Sequence, residues 1–161
     1  MSDRYIDFVN SPLGQLLAKN LGLPAPLTLD RFKPEAPVVK GAVLVGAAAG
    51  SDLTAAITQV LANIKAEVFA SADSSVHSLA SAAGLATVSY APAAEDGQKF
   101  KALVFDASGI SRSDDLKALH TFFSPVIRKL ASSARIIVIG RTPELCDNPK
   151  HATAQRALEG F

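Results

Sequence analysis

The sequence predicts an α/β fold in three layers: a five-stranded parallel sheet covered on both faces by helices. Three observations carry this. From Gly41 onward, short apolar runs alternate with segments of helical periodicity. The short runs are apolar throughout rather than alternating, as in strands buried on both faces. Aromatic residues make up only 6% of the chain and there is no Trp, so Ala, Leu and Val must fill the layers. The length of 161 residues fits one core of ordinary size, preceded here by a short arm.

Residues 1–37 form that arm. Ile6, Val9, Leu13, Leu16, Leu17 and Leu21 recur at helical spacing. Ser11-Pro12 restarts the helix, with Ser as N-cap and Pro at the first helical position, and Gly22 ends it. Pro24, Pro26, Pro34 and Pro37 mark an extended connector. The apolar stripe packs either on the chain's own domain or on a neighbouring domain or subunit.

Residues 38–161 carry the alternation. Residues 42–47 read as the first strand. Leu53, Ile57, Val60, Leu61 and Ile64 then line one face of a helix. Residues 66–70 give a second strand. Val76, Leu79, Ala80 and Ala83 give a short helix ended by Gly84, and residues 86–90 a third strand. After a polar, proline-containing loop at 91–98, residues 102–105 form a fourth strand leading into Asp106-Ala107-Ser108-Gly109. The longest helix is expected over 114–130, capped by Ser113 or Asp114 and apolar at Leu116, Leu119, Phe122, Phe123, Val126, Ile127 and Leu130. Pro125 lies inside it and should kink or split it. Residues 135–139 are the fifth strand, and residues 151–161 begin a last helix. The simplest strand order is 3-2-1-4-5, that of a Rossmann/flavodoxin-like fold. The closing HATAQRALEGF has no capping sequence and no strand after it, so the chain is expected to be part of a longer protein.

Charge and composition bound the partners. A net charge of +1 gives no broad attraction to nucleic acid or an anionic membrane. No apolar run approaches the ~18 residues of a membrane span, and the N-terminus lacks a signal-peptide core. The single cysteine, Cys146, excludes an intrachain disulfide. A cytoplasmic location is expected.

Two turns are candidate binding edges. The first is Gly46-Ala-Ala-Ala-Gly50-Ser-Asp52, between a strand and a helix. Glycines there let a backbone approach a pyrophosphate, and the helix start supplies N–H donors. Asp52 acts against this. Its carboxylate can cap the helix, worth ~1 kcal/mol, and would oppose a phosphate by roughly 4 kcal/mol at 4 Å and an effective dielectric of about 20. The same turn is no Walker loop, because no Gly-Lys-Ser/Thr follows. The second edge is Asp106-Ala107-Ser108-Gly109. Asp106 and Ser108 either bind a ligand or serve only the turn. His77, His120 and His151 have no metal-ligand spacing, and no metal site is expected. His120 reads as a packed or interface residue. Cys146 and His151 share a loop-to-helix region in which a thiolate pair is conceivable.

The blocks LVFDASGI, LKALHTFFSPVIRKL, RIIVIGRTPE and AQRALEGF, in this order, together with the opening VNSPLGQLLAKNLGLPAPLTLDRFKP, resemble the N-terminal region of high-molecular-weight 3-oxoacyl-(acyl-carrier-protein) reductases. These belong to the short-chain dehydrogenase/reductase superfamily. The resemblance spans essentially the whole chain and is least distinctive over 66–100. It implies a non-catalytic first domain with a scaffold role, followed in the parent protein by a complete reductase domain. That second domain would use NAD(P)H to reduce a 3-oxoacyl thioester, carried on acyl-carrier protein or CoA, in fatty-acid biosynthesis.

Set against the superfamily's motifs, Gly46 and Gly50 match the glycine-rich turn and Asp52 stands in place of its third glycine. In the edge motif only Gly109 matches. No serine stands near Gly140-Arg141, where the catalytic serine falls. The Tyr-x-x-x-Lys positions are His151 and Gln155. The resemblance thus implies a degenerate, vestigial copy of the fold, with no catalytic residue, no cofactor in this domain, and oligomer contacts through 114–130 and 151–161. The alternative is a stand-alone flavodoxin-like module that binds a nucleotide or flavin at the two edges.

Overall fold

Five parallel strands in the order β3-β2-β1-β4-β5 form the sheet of the computed structural model. The model describes residues 4–22, 30, 33–72, 74–93 and 97–161, without the side chains of Tyr5 and Ile6. The strands are β1 (Val43–Ala47), β2 (Val68–Ala70), β3 (Thr87–Ser89), β4 (Phe100–Asp106) and β5 (Leu130–Ile139). Two helices make up the arm, α1 (Arg4–Val9) and α2 (Pro12–Leu21). The sheet is served by α3 (Thr54–Asn63), α4 (Val76–Ala82), α5 (Lys117–Phe123) and α6 (Pro149–Ala157).

The chain divides into two compact units, 1–33 and 34–161. In the first, Ser11 caps α2 by accepting a hydrogen bond from Gly14 N at 3.1 Å, and its hydroxyl donates to Phe8 O at 2.6 Å. Gly22 closes the helix at φ +64°. Leu13, Leu16 and Leu21 are exposed. Pro24 and Pro26 of the expected connector lie outside the described residues.

In the second unit the pleat sends alternate residues to opposite faces, and two cores result. Val43 and Val45 of β1, with Val68, Ala102 and Val104, meet Ile57 and Leu61 of α3 and Val76 of α4. Leu44, Phe69, Leu103 and Phe105 point the other way, toward Leu119 and Phe123 of α5, Val126, and Ala154 of α6. The register sets Val45 beside Val104 and Ala47 beside Asp106, so β1 and β4 end level with one another.

The helix expected over 114–130 is split at Pro125, and the strand after it starts earlier than the sequence implies. The long helix is three pieces: a 3-10 turn at Ser113–Leu116, then α5, then a 3-10 turn at Ile127–Lys129. Pro125 lacks an N–H and its ring opposes the preceding turn, so α5 stops at Phe123. The freed residues lengthen β5, which starts at Leu130 rather than Arg135. Leu130 pairs with Phe100, the register then shifts, and pairing resumes at Arg135 with Ala102. Ser133 accommodates the irregularity at φ +53°.

Candidate functional site

The direction of the crossovers reverses between β1 and β4, and there an open α/β sheet has its ligand crevice. Here the two turns at that point bond to one another. Ala48 N donates to Asp106 O at 2.8 Å. The Ser51 hydroxyl donates to Asp106 O at 2.9 Å and accepts from Gly109 N at 3.2 Å. Asp52 N donates to Ser108 Oγ at 3.1 Å.

Asp106 is the centre of this network and is fully buried. Its Oδ1 accepts from Ser108 N at 3.0 Å and from the Ser108 hydroxyl at 2.6 Å. Its Oδ2 accepts from the Thr54 hydroxyl, at the start of α3, at 2.7 Å. A buried carboxylate needs such donors to be tolerated. Asp106 and Ser108 therefore have their hydrogen-bonding capacity directed at the protein.

Asp52 does not cap α3. The helix begins at Thr54 without a side-chain cap, and the Asp52 carboxylate forms an ion pair with Arg141 in the loop after β5. That pair is half exposed and, as a surface ion pair, contributes at most about 1 kcal/mol to stability. Its consequence lies elsewhere. A carboxylate sits at the helix start, and two amides of the turn, Ser51 N and Asp52 N, are already bonded to Ala48 O and Ser108 Oγ. These two amides and the Asp52 carboxylate are thus engaged within the protein.

Gly46 has a different use from phosphate approach. A Cβ there would lie 2.4 Å from Phe122 Cε2, so the glycine makes room for an aromatic ring of α5. Phe122 stacks near Phe105 and Phe123, with centroids 5.0 and 4.9 Å away.

At the far side of β4, Gln155 is buried on α6. Its Nε2 donates to Ala107 O and Ile110 O at 2.9 and 2.7 Å, and its Oε1 accepts from Arg141 N at 2.7 Å. It thereby holds the second turn and the loop after β5. The signal for this role is present in the sequence, since Gln155 shares the inward stripe of α6 with His151, Ala154 and Leu158. His151 Nε2 is buried and makes no hydrogen bond, while Cys146 Sγ faces Thr142 O at 3.6 Å. The two do not form a thiolate pair.

His120 is exposed rather than packed. His77 serves structure: its Nε2 donates to Ser71 O at 3.0 Å, and its Nδ1 is hydrogen-bonded with the Thr87 hydroxyl at 2.6 Å. Among the described residues no cluster of three His, Cys, Asp or Glu side chains is placed to hold a metal ion, and no helix is long and apolar enough to cross a membrane.

A cleft of about 780 Å³ opens beside the first turn, between the backbone of Gly46 to Ala49 and α5. Phe105, Phe122 and Tyr90 border it, and Asp114, Asp115 and Lys117 stand at its edge. The Ser111 backbone N–H holds the Asp115 carboxyl below the usual carboxylate range. Desolvation opposes this, and the Arg112 N–H and the Ser111 hydroxyl add to the lowering. Tyr90 is buried, and its Oη has no hydrogen-bond partner. An unmade buried bond costs about 1–3 kcal/mol. Tyr90→Phe is therefore expected to raise the unfolding free energy by about 1 kcal/mol, read by urea denaturation. A fall of that size would show that the hydroxyl is bonded in solution.

No protein-family model and no curated protein matches the chain. Among solved structures it is similar to a short-chain dehydrogenase/reductase from Serratia marcescens BCRC 10948, with a TM-score of 0.52 and 18% sequence identity. The alignment covers 78% of this chain and 66% of that enzyme, so the chain spans just under two thirds of its length. At this identity the likeness shows the fold alone, a Rossmann-like α/β domain.

Proposed function

We propose that this chain is a non-catalytic domain of a 3-oxoacyl thioester reductase, acting as a scaffold beside a separate, NAD(P)H-dependent reductase domain. The observation that carries the proposal is the bonding of the two turns at the switch point to one another. Where a dehydrogenase of this fold holds its pyrophosphate, this chain has the Asp52–Arg141 ion pair and two turns that use each other's donors. The positions of the superfamily's tyrosine and lysine are His151 and Gln155, and Gln155 is fully engaged with backbone groups. Neither residue can replace a tyrosine acid whose pKa a lysine lowers.

The scaffold role draws support from apolar surface. Leu13, Leu16 and Leu21 of the arm are exposed, as are Ile127 beside α5 and Leu145 before α6. Exposed apolar side chains of this kind, on the arm and on the sheet domain each taken by itself, suit a docked reductase domain or a second copy of the chain. The parent reaction in fatty-acid metabolism and the acyl-carrier protein or CoA substrate belong to the same proposal.

The test is a titration with NADH and NADPH followed by coenzyme fluorescence, with turnover of acetoacetyl-CoA measured alongside. No saturable binding below about 1 mM and no oxidation of coenzyme are expected. Saturation in the micromolar range, or turnover, would overturn the non-catalytic reading. Light scattering on the eluting protein tests the scaffold part. An oligomer is expected, and a monomer at all concentrations would remove self-association through 114–130 and 151–161.

A further inference from the structure

We infer that the outer edge of β5 pairs with the same edge of a second copy of this chain, antiparallel and centred on Ile137. Among the described strands β5 pairs with β4 alone, so it ends the sheet on that side. Ile139 O accepts from Ala107 N at 2.7 Å. Backbone groups alternate sides along a strand, so those of Arg135 and Ile137 also face β4, and the N–H and C=O of Ile136 and Val138 point outward. The register shift and the positive φ of Ser133 both lie before Arg135, which leaves 135–139 regular. This stretch, Arg-Ile-Ile-Val-Ile, has no Lys, Pro or bulge, the devices that keep an edge from pairing. The opposite edge is protected by its shortness, since β3 has 3 residues. Ile136 and Ile137, on opposite faces of β5, are each 43% exposed.

A second copy suits this edge in register and in charge. A twofold axis sets like strands antiparallel. With the axis at Ile137, Ile136 and Val138 of one copy exchange ladder bonds with Val138 and Ile136 of the other, and all of 135–139 overlaps. The two Ile137 residues then face each other as a non-hydrogen-bonded pair, with Cα atoms about 4.5 Å apart. Arg135 falls opposite Ile139 rather than opposite a like charge. Sliding the register one way makes the two Arg135 side chains diagonal neighbours, and sliding it the other way sets Arg135 against Arg141. Charge beyond the overlap favours the same direction. Lys99 and Lys101 reach the start of β5, where they donate to Arg128 O and Ser132 O, and with Arg128 and Arg135 they make that end basic. The antiparallel copy leads its loop between β5 and α6 toward this end. In that loop Arg141 is already paired with Asp52, and Glu144 with Arg156, which leaves the Asp147 carboxylate over.

The experiment uses the whole chain in sedimentation velocity from about 5 to 500 µM. An interface of one strand a side is small, so a dimer with a dissociation constant of roughly 10–100 µM is expected. Ile137→Lys and Ile137→Glu should each be monomeric throughout, because like charges then meet on the axis. An equimolar mixture of the two should dimerise again. In a Cys146→Ser background, oxidised glutathione should cross-link Ile137→Cys into a dimer, since the pair lies within disulfide reach. Val88→Cys, exposed on the β3 edge, should stay uncross-linked. Ile137→Cys keeps an apolar side chain and guards against the charged variants failing to fold. Four results would each overturn the inference: a monomer at all concentrations, a dimer in Ile137→Lys, a mixture of folded Lys and Glu variants that stays monomeric, or Val88→Cys cross-linking as readily as Ile137→Cys. A dimer held through 114–130 and 151–161 instead would survive Ile137→Lys, which overturns this inference and leaves the scaffold reading standing. Coenzyme binding would do the reverse.

Discussion

Replacing Asp106 by alanine is expected to lower the unfolding free energy by about 3–5 kcal/mol, the largest effect of any single polar substitution in the sheet domain. The carboxylate is fully buried and accepts three hydrogen bonds, from Ser108 N, the Ser108 hydroxyl and the Thr54 hydroxyl. Bonds to a charged acceptor contribute about 1.5–3 kcal/mol each, and their removal leaves buried donors unpaired. The three share one acceptor group, so the losses add incompletely. For a chain of this size 1 kcal/mol corresponds to about 2–4 °C, and the midpoint should fall by roughly 10 °C. Asp106→Asn keeps the shape and one acceptor oxygen and should cost about 1–2 kcal/mol, because its amide can face Thr54 Oγ1, which also accepts. Urea denaturation followed by circular dichroism measures both. Alanine costing under 1 kcal/mol would mean that Asp106 does not tie the turns together. Asparagine costing as much as alanine would assign the effect to charge rather than to the bonds.

The same residue shows what the sequence discloses and what it withholds. The sheet order was legible because each strand is a short apolar run and each intervening helix has its own stripe. The arm was legible because its signals are local: Ser11, Pro12 and Gly22 act within a turn of themselves. Strand β5 was misread at its start because Leu-Ala-Ser-Ser-Ala carries no strand signal. Its pairing with Phe100 is a tertiary event made possible by Pro125 stopping α5. Each of the two turns is visible in the sequence by itself, but their contact with one another is not. Thr54 and Asp106 are 52 positions apart, and Asp52 and Arg141 are 89 apart. Periodicity and turn chemistry have no access to such pairs. Asp52 looked like a helix cap because nothing within one turn announced Arg141.

Gly109→Ala is expected to destabilise by about 3 kcal/mol or more, and Gly46→Ala by only about 1–2 kcal/mol, although Gly46 lies deeper in the sheet. The difference follows from what each new methyl meets. At Gly109 it would lie 2.2 Å from Ala49 O, 2.5 Å from Ser51 N and 2.7 Å from Gly50 C, all of them backbone atoms of the first turn. A backbone cannot step aside singly. The turn must move as a unit, which breaks the Gly109 N to Ser51 Oγ bond and strains the bond from Ser51 Oγ to Asp106 O. Overpacking of this kind reaches the upper end of the usual 1–3 kcal/mol and exceeds it when hydrogen bonds go too. At Gly46 the methyl would meet the Phe122 ring at 2.4 and 2.5 Å and Phe105 at 3.2 Å. Phe122 is half-buried and borders the open cleft, so its ring has somewhere to go. Phe122→Leu should therefore recover part of the Gly46→Ala loss, with a coupling of about 1 kcal/mol in a double-mutant cycle, and recover none of the Gly109→Ala loss. Equal costs at the two glycines would remove the distinction between a glycine kept for turn-against-turn contact and one kept for an aromatic ring. On that distinction rests the account of why a glycine stands in each of the two turns.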